Sequence, residues 1–328
     1  MSRVGLLASG GTIISAADAV SGSLRPTLSI ADVVREAGLD GEHALVCVEE
    51  HARAYSCDLT PAAMLGIVRR SAQLLDDHEL DGLVVTHGSD TLEETAFLCD
   101  VLLDDPRPVV FTAAMKPAGE RGSDGAANLR TAVRVAGARA ARGLGVVVTV
   151  GADVHAARWV RKQDSFRLDA FASPGRPSLG AVTPSGVELW GCPPPRVRVP
   201  LPVSLSAPVA ALPAYGDTPP ELLRAVVAAT GARGLVLEGA GMGNVPALLV
   251  PAVAELVGDG VVVAITTRTA TGGTHAVYDS HGGAAALLAA GAVLAGALPT
   301  AKTRLLLMAI VATTPAPREA AELLRRAV

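Results

Sequence analysis

Short, predominantly apolar runs alternate with helical patterns along most of this chain, and that alternation sets the architecture. Runs such as Val4–Ala8, Gly82–Thr86, Val109–Ala113 and Val146–Val150 offer no polar face to water. Strands of this kind are covered on both sides, which is the situation in a parallel sheet whose crossover helices supply the cover. The pattern predicts an α/β fold with mainly parallel sheets.

The boundaries follow from local chemistry. A helix is expected at Ile30–Ala37 with Ser29 as its cap, a strand at Ala44–Val48, and a helix opened by Thr60-Pro61 and running to about Leu75. Proline suits that first helical position because its missing N–H has no partner there anyway. A helix at Thr91–Leu103 follows Gly82–Thr86, with Asp90 as expected cap and Glu93 completing the capping-box spacing. Another helix is expected at Asn128–Ala141. Residues Trp190–Pro219 break the rhythm: Pro193, Pro194, Pro195, Pro200, Pro202, Pro208 and Pro213 crowd a stretch without helical period, read as a connection holding an edge strand. Helices at Pro220–Thr230, Pro246–Val257, Gly283–Ala290 and Thr300–Ala312 then alternate with strands Leu235–Glu238 and Val261–Thr266.

A length of 328 residues suits two domains. The expected division is a larger N-terminal α/β domain at 1–190, a Pro-rich linker at 191–219, and a smaller C-terminal α/β domain at 220–328. With 50% hydrophobic residues, both cores can be filled. The net charge of -4 lacks the basic footprint of a nucleic-acid binder, and no basic tract suggests a membrane surface. No apolar run reaches the roughly 20 residues of a membrane span. Cys47, Cys57, Cys99 and Cys192 form no CxxC pair, and the apolar stretch Val4–Ala8 is too short for a signal peptide, so a reducing, cytoplasmic setting is expected. His43, His51, His78, His87, His155, His275 and His281 show no metal-ligand spacing; neither a metal nor another cofactor is expected.

In open α/β sheets, ligands bind beyond the carboxyl ends of strands. Four polar clusters lie there: Ser9-Gly10-Gly11-Thr12, Thr86-His87-Gly88-Ser89-Asp90-Thr91, Ala113-Ala114-Met115-Lys116, and Arg158 to Asp164 around Lys162. Each has an ordinary explanation as tight turn, helix cap, loop hydroxyl or surface lysine. Yet only three of the 28 basic residues are lysine, so retaining Lys162 suggests a need for a compact ammonium. Ser89, Asp90 and Lys162 could form a hydroxyl–lysine–carboxylate relay of the kind that activates an attacking hydroxyl. Gly-rich strand ends can present N–H groups to an oxyanion. A Lys162 paired with Asp90 is held charged and is then no base. Either the pair is partly desolvated, or Lys162 orients and stabilises charge.

These motifs resemble those of bacterial-type L-asparaginases over essentially the whole chain. The resemblance rests on Gly10-Gly11-Thr12-Ile13, on His87-Gly88-Ser89-Asp90-Thr91-Leu92-Glu93-Glu94-Thr95-Ala96, on Ala114-Met115-Lys116-Pro117, and on Ser123-Asp124-Gly125 with Asn128. It implies that Thr12 is the nucleophile of an acyl-enzyme, with Ser89, Asp90 and Lys162 as the rest of the catalytic set. Ser56 and Cys57 match the segment that binds the substrate α-carboxylate, Asp90 would take the α-ammonium, and main-chain groups near Ala114 and Gly88–Ser89 would contact the side-chain amide. It also implies a homodimer or homotetramer acting on a small amino-acid amide. Three departures stand out: Ser89 replaces a threonine, Cys57 replaces a common glutamine, and Ile14–Pro26, which holds the expected gating loop Ser15–Pro26, has no tyrosine. The region Arg268–Ser280, where relatives supply a glutamate to a neighbouring subunit, offers Tyr278 and Asp279 instead.

Other functions remain open at this point. A glutaminase-asparaginase would keep the scaffold and widen the substrate range, since one methylene is worth only about 1–3 kcal/mol in a simple pocket. The related amidotransferase subunit is expected to carry a domain ahead of the Gly-Gly-Thr strand. A non-catalytic amino-acid-binding module would keep the pocket without turnover. Gly239-Ala240-Gly241-Met242-Gly243 follows a strand as a phosphate-binding turn would, but lacks dinucleotide-fingerprint spacing.

Overall fold

The computed structural model describes residues 2–18, 21–39 and 45–328, which separate into two compact units, Met1–Pro195 and Arg196–Val328. The expected strand start at Ala44, His43, and Ala19 and Val20 of the expected gating segment lie outside the described residues. Both units are α/β, and the first is the larger.

In the first unit the described strands are β1 (Val4–Gly10), β2 (Ser15–Ala17), β3 (Leu24–Pro26), β4 (Leu45–Ala54), β5 (Gly82–Thr86), β6 (Val109–Thr112), β7 (Val146–Val148), β8 (Asp153–Ala156), β9 (Arg161–Lys162), β10 (Phe171–Ala172), β11 (Gly180–Thr183) and β12 (Gly186–Leu189). Eight of them form one sheet in the order β12-β11-β8-β7-β6-β5-β1-β4. From β4 to β7 neighbours run parallel; β8, β11 and β12 extend the sheet antiparallel. The pairs β2–β3 and β9–β10 are small separate hairpins.

Helices α1 (Ile30–Glu36), α2 (Pro61–Asp77), α3 (Leu92–Leu102) and α4 (Gly125–Ala136) cover the central strands. Val4, Leu6 and Ala8 pack with Val84, Val110 and Val147 in a core cluster with Val33 of α1 and Leu129 and Ala132 of α4. Their strand neighbours Leu7, Leu83, Val85 and Phe111 are equally buried, and strand alternation turns them to the other face. This two-sided cover is why these strands are so largely apolar.

Capping follows the sequence in two helices and departs from it in a third. Ser29 and Asp32 form a full capping box on α1, and Thr60 caps α2 ahead of Pro61. Helix α3 begins at Leu92 after Thr91, without a side-chain cap; Asp90 is not its cap. The carboxylates of Asp90 and Glu93 both accept instead from Lys162, a distant segment that offers them a cation and an N–H. Helix α4 starts three residues earlier than expected and ends before Gly137, leaving Arg139–Ala141 as a separate 3-10 turn.

The second unit holds four parallel strands in chain order, β13 (Val209–Pro213), β14 (Gly234–Gly239), β15 (Val262–Thr267) and β16 (Val293–Leu294). Strand β13 is the edge strand expected inside the proline-rich stretch, and its Pro213 sits at the strand end, where a missing N–H is tolerated. Helices α5 (Pro220–Thr230), α6 (Leu249–Gly258), α7 (Ala284–Ala289), α8 (Thr300–Thr313) and α9 (Pro317–Ala327) complete it. Helix α9 was not expected, although Ala320, Leu324 and Ala327 recur at helical spacing and are buried. Among the described residues no helix is long and apolar enough to cross a membrane.

Candidate active site

Adjacency in the order β4-β1-β5-β6 brings the carboxyl ends of four parallel strands together. Glycines let the segments beyond them touch. A Cβ at Gly11 would stand 2.5 Å from the Gly88 Cα, and one at Gly88 would stand 2.6 Å from the Ser56 Oγ. Gly11 also has φ near 92°, a conformation that L side chains rarely adopt. Thr12, Ser56 and Ser89 therefore each lie at or next to one mutual contact, although 77 residues separate Thr12 from Ser89 in the sequence.

Thr12 opens the 3-10 turn Thr12–Ile14 and is half-buried. Ser56 is buried at the start of the turn Ser56–Asp58, and its carbonyl accepts from the Thr91 hydroxyl at 2.8 Å. Cys57, on the same turn, is exposed. Tyr55, just before Ser56, donates its hydroxyl to the Leu24 carbonyl at 3.0 Å and so ties hairpin β2–β3 to the Ser56 segment.

Beyond β6, a buried clamp shapes the backbone around Ala114. The Asp124 carboxylate accepts from Met115 N, from Lys116 N and from the Asn128 amide at 2.9–3.1 Å, while that amide also donates to the Ala113 carbonyl at 2.8 Å. A Cβ at Gly125 would lie 3.1 Å from Ile13 Cγ1 and 3.5 Å from the Ala114 Cβ. Ala114 thus stands beside the residue that follows Thr12.

The fourth contributor comes from β9. Lys162 Nζ donates to Ser89 Oγ at 2.8 Å and to Asp90 Oδ1 at 2.7 Å. Ser89 is buried, whereas the Asp90 side chain is 61% exposed and Lys162 only 17%. Both bonds are assisted by the ammonium charge. Because the Ser89 oxygen accepts from Lys162, its own proton remains available to donate. Lys162 is thus no isolated surface lysine.

His87 is wholly buried beneath this cluster. Its Nδ1 lies 2.8 Å from the Gly88 carbonyl, an acceptor, so Nδ1 carries the proton. Burial pulls its pKa down to about 4, leaving a neutral ring that steadies the Gly88 peptide.

The structure thus gathers Thr12, Ser56, Gly88, Ser89, Asp90, Ala114 and Lys162, with Cys57 at the exposed margin. Sequence inspection missed Glu93 as a partner of the Lys162 backbone, Thr91 as a tether for Ser56, and Tyr55 as a tether for the hairpin. Their partners lie 69, 35 and 31 residues away, and no local pattern carries that signal. Among the described residues no group of three His, Cys, Asp or Glu side chains could hold a metal ion. In the 239–243 turn, Ala240 N donates to Asn244 O, and Gly243 N and Asn244 N both donate to Ala240 O. Those three N–H groups are therefore engaged within the turn and not turned toward a phosphate.

Residues 3–192 match the family profile described as Asparaginase, N-terminal, and residues 208–324 the one described as Glutaminase/Asparaginase C-terminal domain. A "Probable L-asparaginase" from Deinococcus radiodurans is 37% identical over 315 residues, covering 94% of this chain and 92% of that protein. A "Glutaminase-asparaginase" from Pseudomonas aeruginosa is 31% identical over 295 residues, covering 83% and 77%. The crystal structure of a probable cytoplasmic L-asparaginase from Campylobacter jejuni superposes with a TM-score of 0.87 at 26% identity, covering 99% of both chains.

Proposed function

The chain belongs to the asparaginase family, and from that premise we propose that it hydrolyses L-asparagine to L-aspartate and ammonia through an acyl-enzyme on Thr12. The observation that carries this is Lys162 Nζ, which donates at once to Ser89 and Asp90 beside the Gly11–Gly88 contact. A module that merely held an amino acid would have no need for a buried hydroxyl wired to an ammonium.

In this reaction Thr12 Oγ bonds to the side-chain amide carbon and the C–N bond breaks. Nitrogen leaves as ammonia with the proton the hydroxyl gave up. Water then cleaves the ester, returning a proton to Thr12. Main-chain groups at Gly88–Ser89 and Ala114 contact the amide and take up the developing oxyanion charge. The Ser56 hydroxyl donates to the α-carboxylate. Asp90 gives Oδ1 to Lys162 and keeps Oδ2 for the α-ammonium, an arrangement favoured by charge-assisted bonding. The site acts in a cytoplasmic homodimer or homotetramer.

The test is steady-state ammonia release from L-asparagine, L-glutamine and both D-isomers, with mass spectrometry of the quenched enzyme. Turnover of L-asparagine with a covalent adduct on the Thr12 peptide is the expected result; binding without ammonia release overturns the proposal. The Pseudomonas relative's name favours a second reading in which glutamine is also hydrolysed, and comparable rates on both L-amides would establish it.

A further inference from the structure

Glu93 stands two residues into α3 and makes a bond that its local sequence gives no reason to expect. Its Oε2 accepts from the main-chain N–H of Lys162 at 2.6 Å, across 69 residues. The same stretch of chain, Ser89 and Asp90, receives the other end of Lys162, the ammonium, at 2.8 and 2.7 Å. One helix start therefore grips Lys162 by both its backbone and its tip.

The backbone grip matters because of where Lys162 sits. Strand β9 is two residues long and, among the described residues, pairs with β10 alone, as Lys162 with Phe171 and Arg161 with Ala172. The hairpin is not part of the eight-stranded sheet. A two-stranded ribbon this short has little stability of its own, so its position depends on what it is tied to. A lysine side chain is a flexible four-carbon stem with many accessible rotamers. With its backbone free, the ammonium would sample many positions; with both ends held, the chain becomes a strut of fixed length.

We infer that Glu93 is a positioning residue: by holding the Lys162 N–H, it fixes the lysine ammonium against Ser89 and Asp90 in the catalytic geometry. The inference rests on the proposed function for the catalytic part of Lys162, and its structural half stands apart from it.

The experiment compares wild type, Glu93→Ala and Glu93→Gln by amide hydrogen exchange at Lys162, by kcat and KM for L-asparagine, and by the pH profile of kcat. Glu93→Ala removes the acceptor. The Lys162 amide should then exchange about tenfold faster or more, and kcat should fall roughly 10- to 100-fold with KM near wild type, the scale of a displaced catalytic group. The pH profile of kcat should shift as Lys162 loses its fixed partners. Glu93→Gln keeps an acceptor oxygen and should restore most of the protection, the rate and the profile. Unchanged exchange at Lys162 in Glu93→Ala overturns the clamp. Unchanged kcat, or a rise in KM matching the fall in kcat, overturns its catalytic purpose. A wild-type protein that releases no ammonia overturns the proposed function instead, and the exchange contrast still decides the clamp.

Discussion

Gly11 and Gly88 are in backbone contact: a Cβ on Gly11 would fall 2.5 Å from the Gly88 Cα and 2.6 Å from the Gly88 nitrogen. No rotamer change relieves such an overlap, because the obstacle is main chain. The two strand ends can approach this closely only while position 11 has no side chain. Gly11→Ala is therefore expected to force β1 and β5 apart at their carboxyl ends, destabilising the protein by about 1–3 kcal/mol, the usual cost of overpacking. Ammonia release should be lost along with it. Thermal unfolding and activity, measured together, check this; an active variant of unchanged stability would show that the contact is not needed.

Thr12 makes no side-chain hydrogen bond among the described residues and is half-buried, so its hydroxyl holds nothing in place. Thr12→Ala should leave the melting temperature within a degree or two while kcat falls by about 10³ or more, as when a nucleophile is removed. If Ser89→Ala abolishes the covalent adduct and Thr12→Ala does not, the attacking hydroxyl is Ser89.

Lys162→Met keeps the length of the side chain and removes its charge. It leaves Ser89 without a donor and Asp90 without its cation. A loss of roughly 10²–10⁴ in kcat is expected, the range for a group that handles protons or charge in the transition state. Lys162→Arg should not rescue it, because a planar guanidinium cannot replace a compact ammonium between two acceptors. Kinetics of both variants decide this.

Asp124 is 9% exposed and accepts from three donors, Met115 N, Lys116 N and Asn128 Nδ2. Asp124→Ala orphans the Met115 and Lys116 N–H groups, at about 1–3 kcal/mol for each that water cannot reach, and leaves the Asn128 amide with the Ala113 carbonyl alone. Because Ala114 lies on the loop so held, KM should rise as well as stability fall. Asp124→Asn, which retains an acceptor, should recover part of both. Denaturant unfolding with parallel kinetics tests the expectation.

His87 supplies a pH dependence whose sign is fixed by its burial. Its pKa is about 4 in the folded protein against an ordinary value of 6.5. Above pH 6.5 the ring is neutral in both states and stability is unaffected. As pH falls toward 4, only the unfolded chain takes the proton, so stability declines, by on the order of 3 kcal/mol in all, and levels off below that. His155, also buried with a lowered pKa, adds to the same slope. The difference between wild type and His87→Gln in urea midpoints from pH 7 to pH 4 isolates the His87 share; equal slopes would refute it.

Much of this molecule was legible in one dimension. Apolar runs covered on both faces mean a parallel sheet, and the cap at Ser29 and the pair Thr60-Pro61 mark helix starts, because these effects act within a few residues. The resemblance of the Gly10-Gly11-Thr12 and His87–Ala96 segments to known motifs named Thr12, Ser89 and Asp90 as candidates before any geometry. What sequence could not supply was the destination of long side chains. Asp90 and Glu93 satisfy a capping pattern by spacing, yet both turn to Lys162, and Asp124 turns from the start of α4 to the loop after β6. A carboxylate accepts from whatever donor the fold brings within about 3 Å, and which donor that is depends on strand order. The sequence by itself marked the central parallel strands, the helices other than α9 and the residue types available for chemistry, because each depends on near neighbours; the antiparallel extension by β8, β11 and β12 was not among its readings. Only the tertiary structure decided that Gly11 meets Gly88 and that β9, outside the main sheet, delivers Lys162 to Ser89, because contacts between distant segments arise from packing the whole unit.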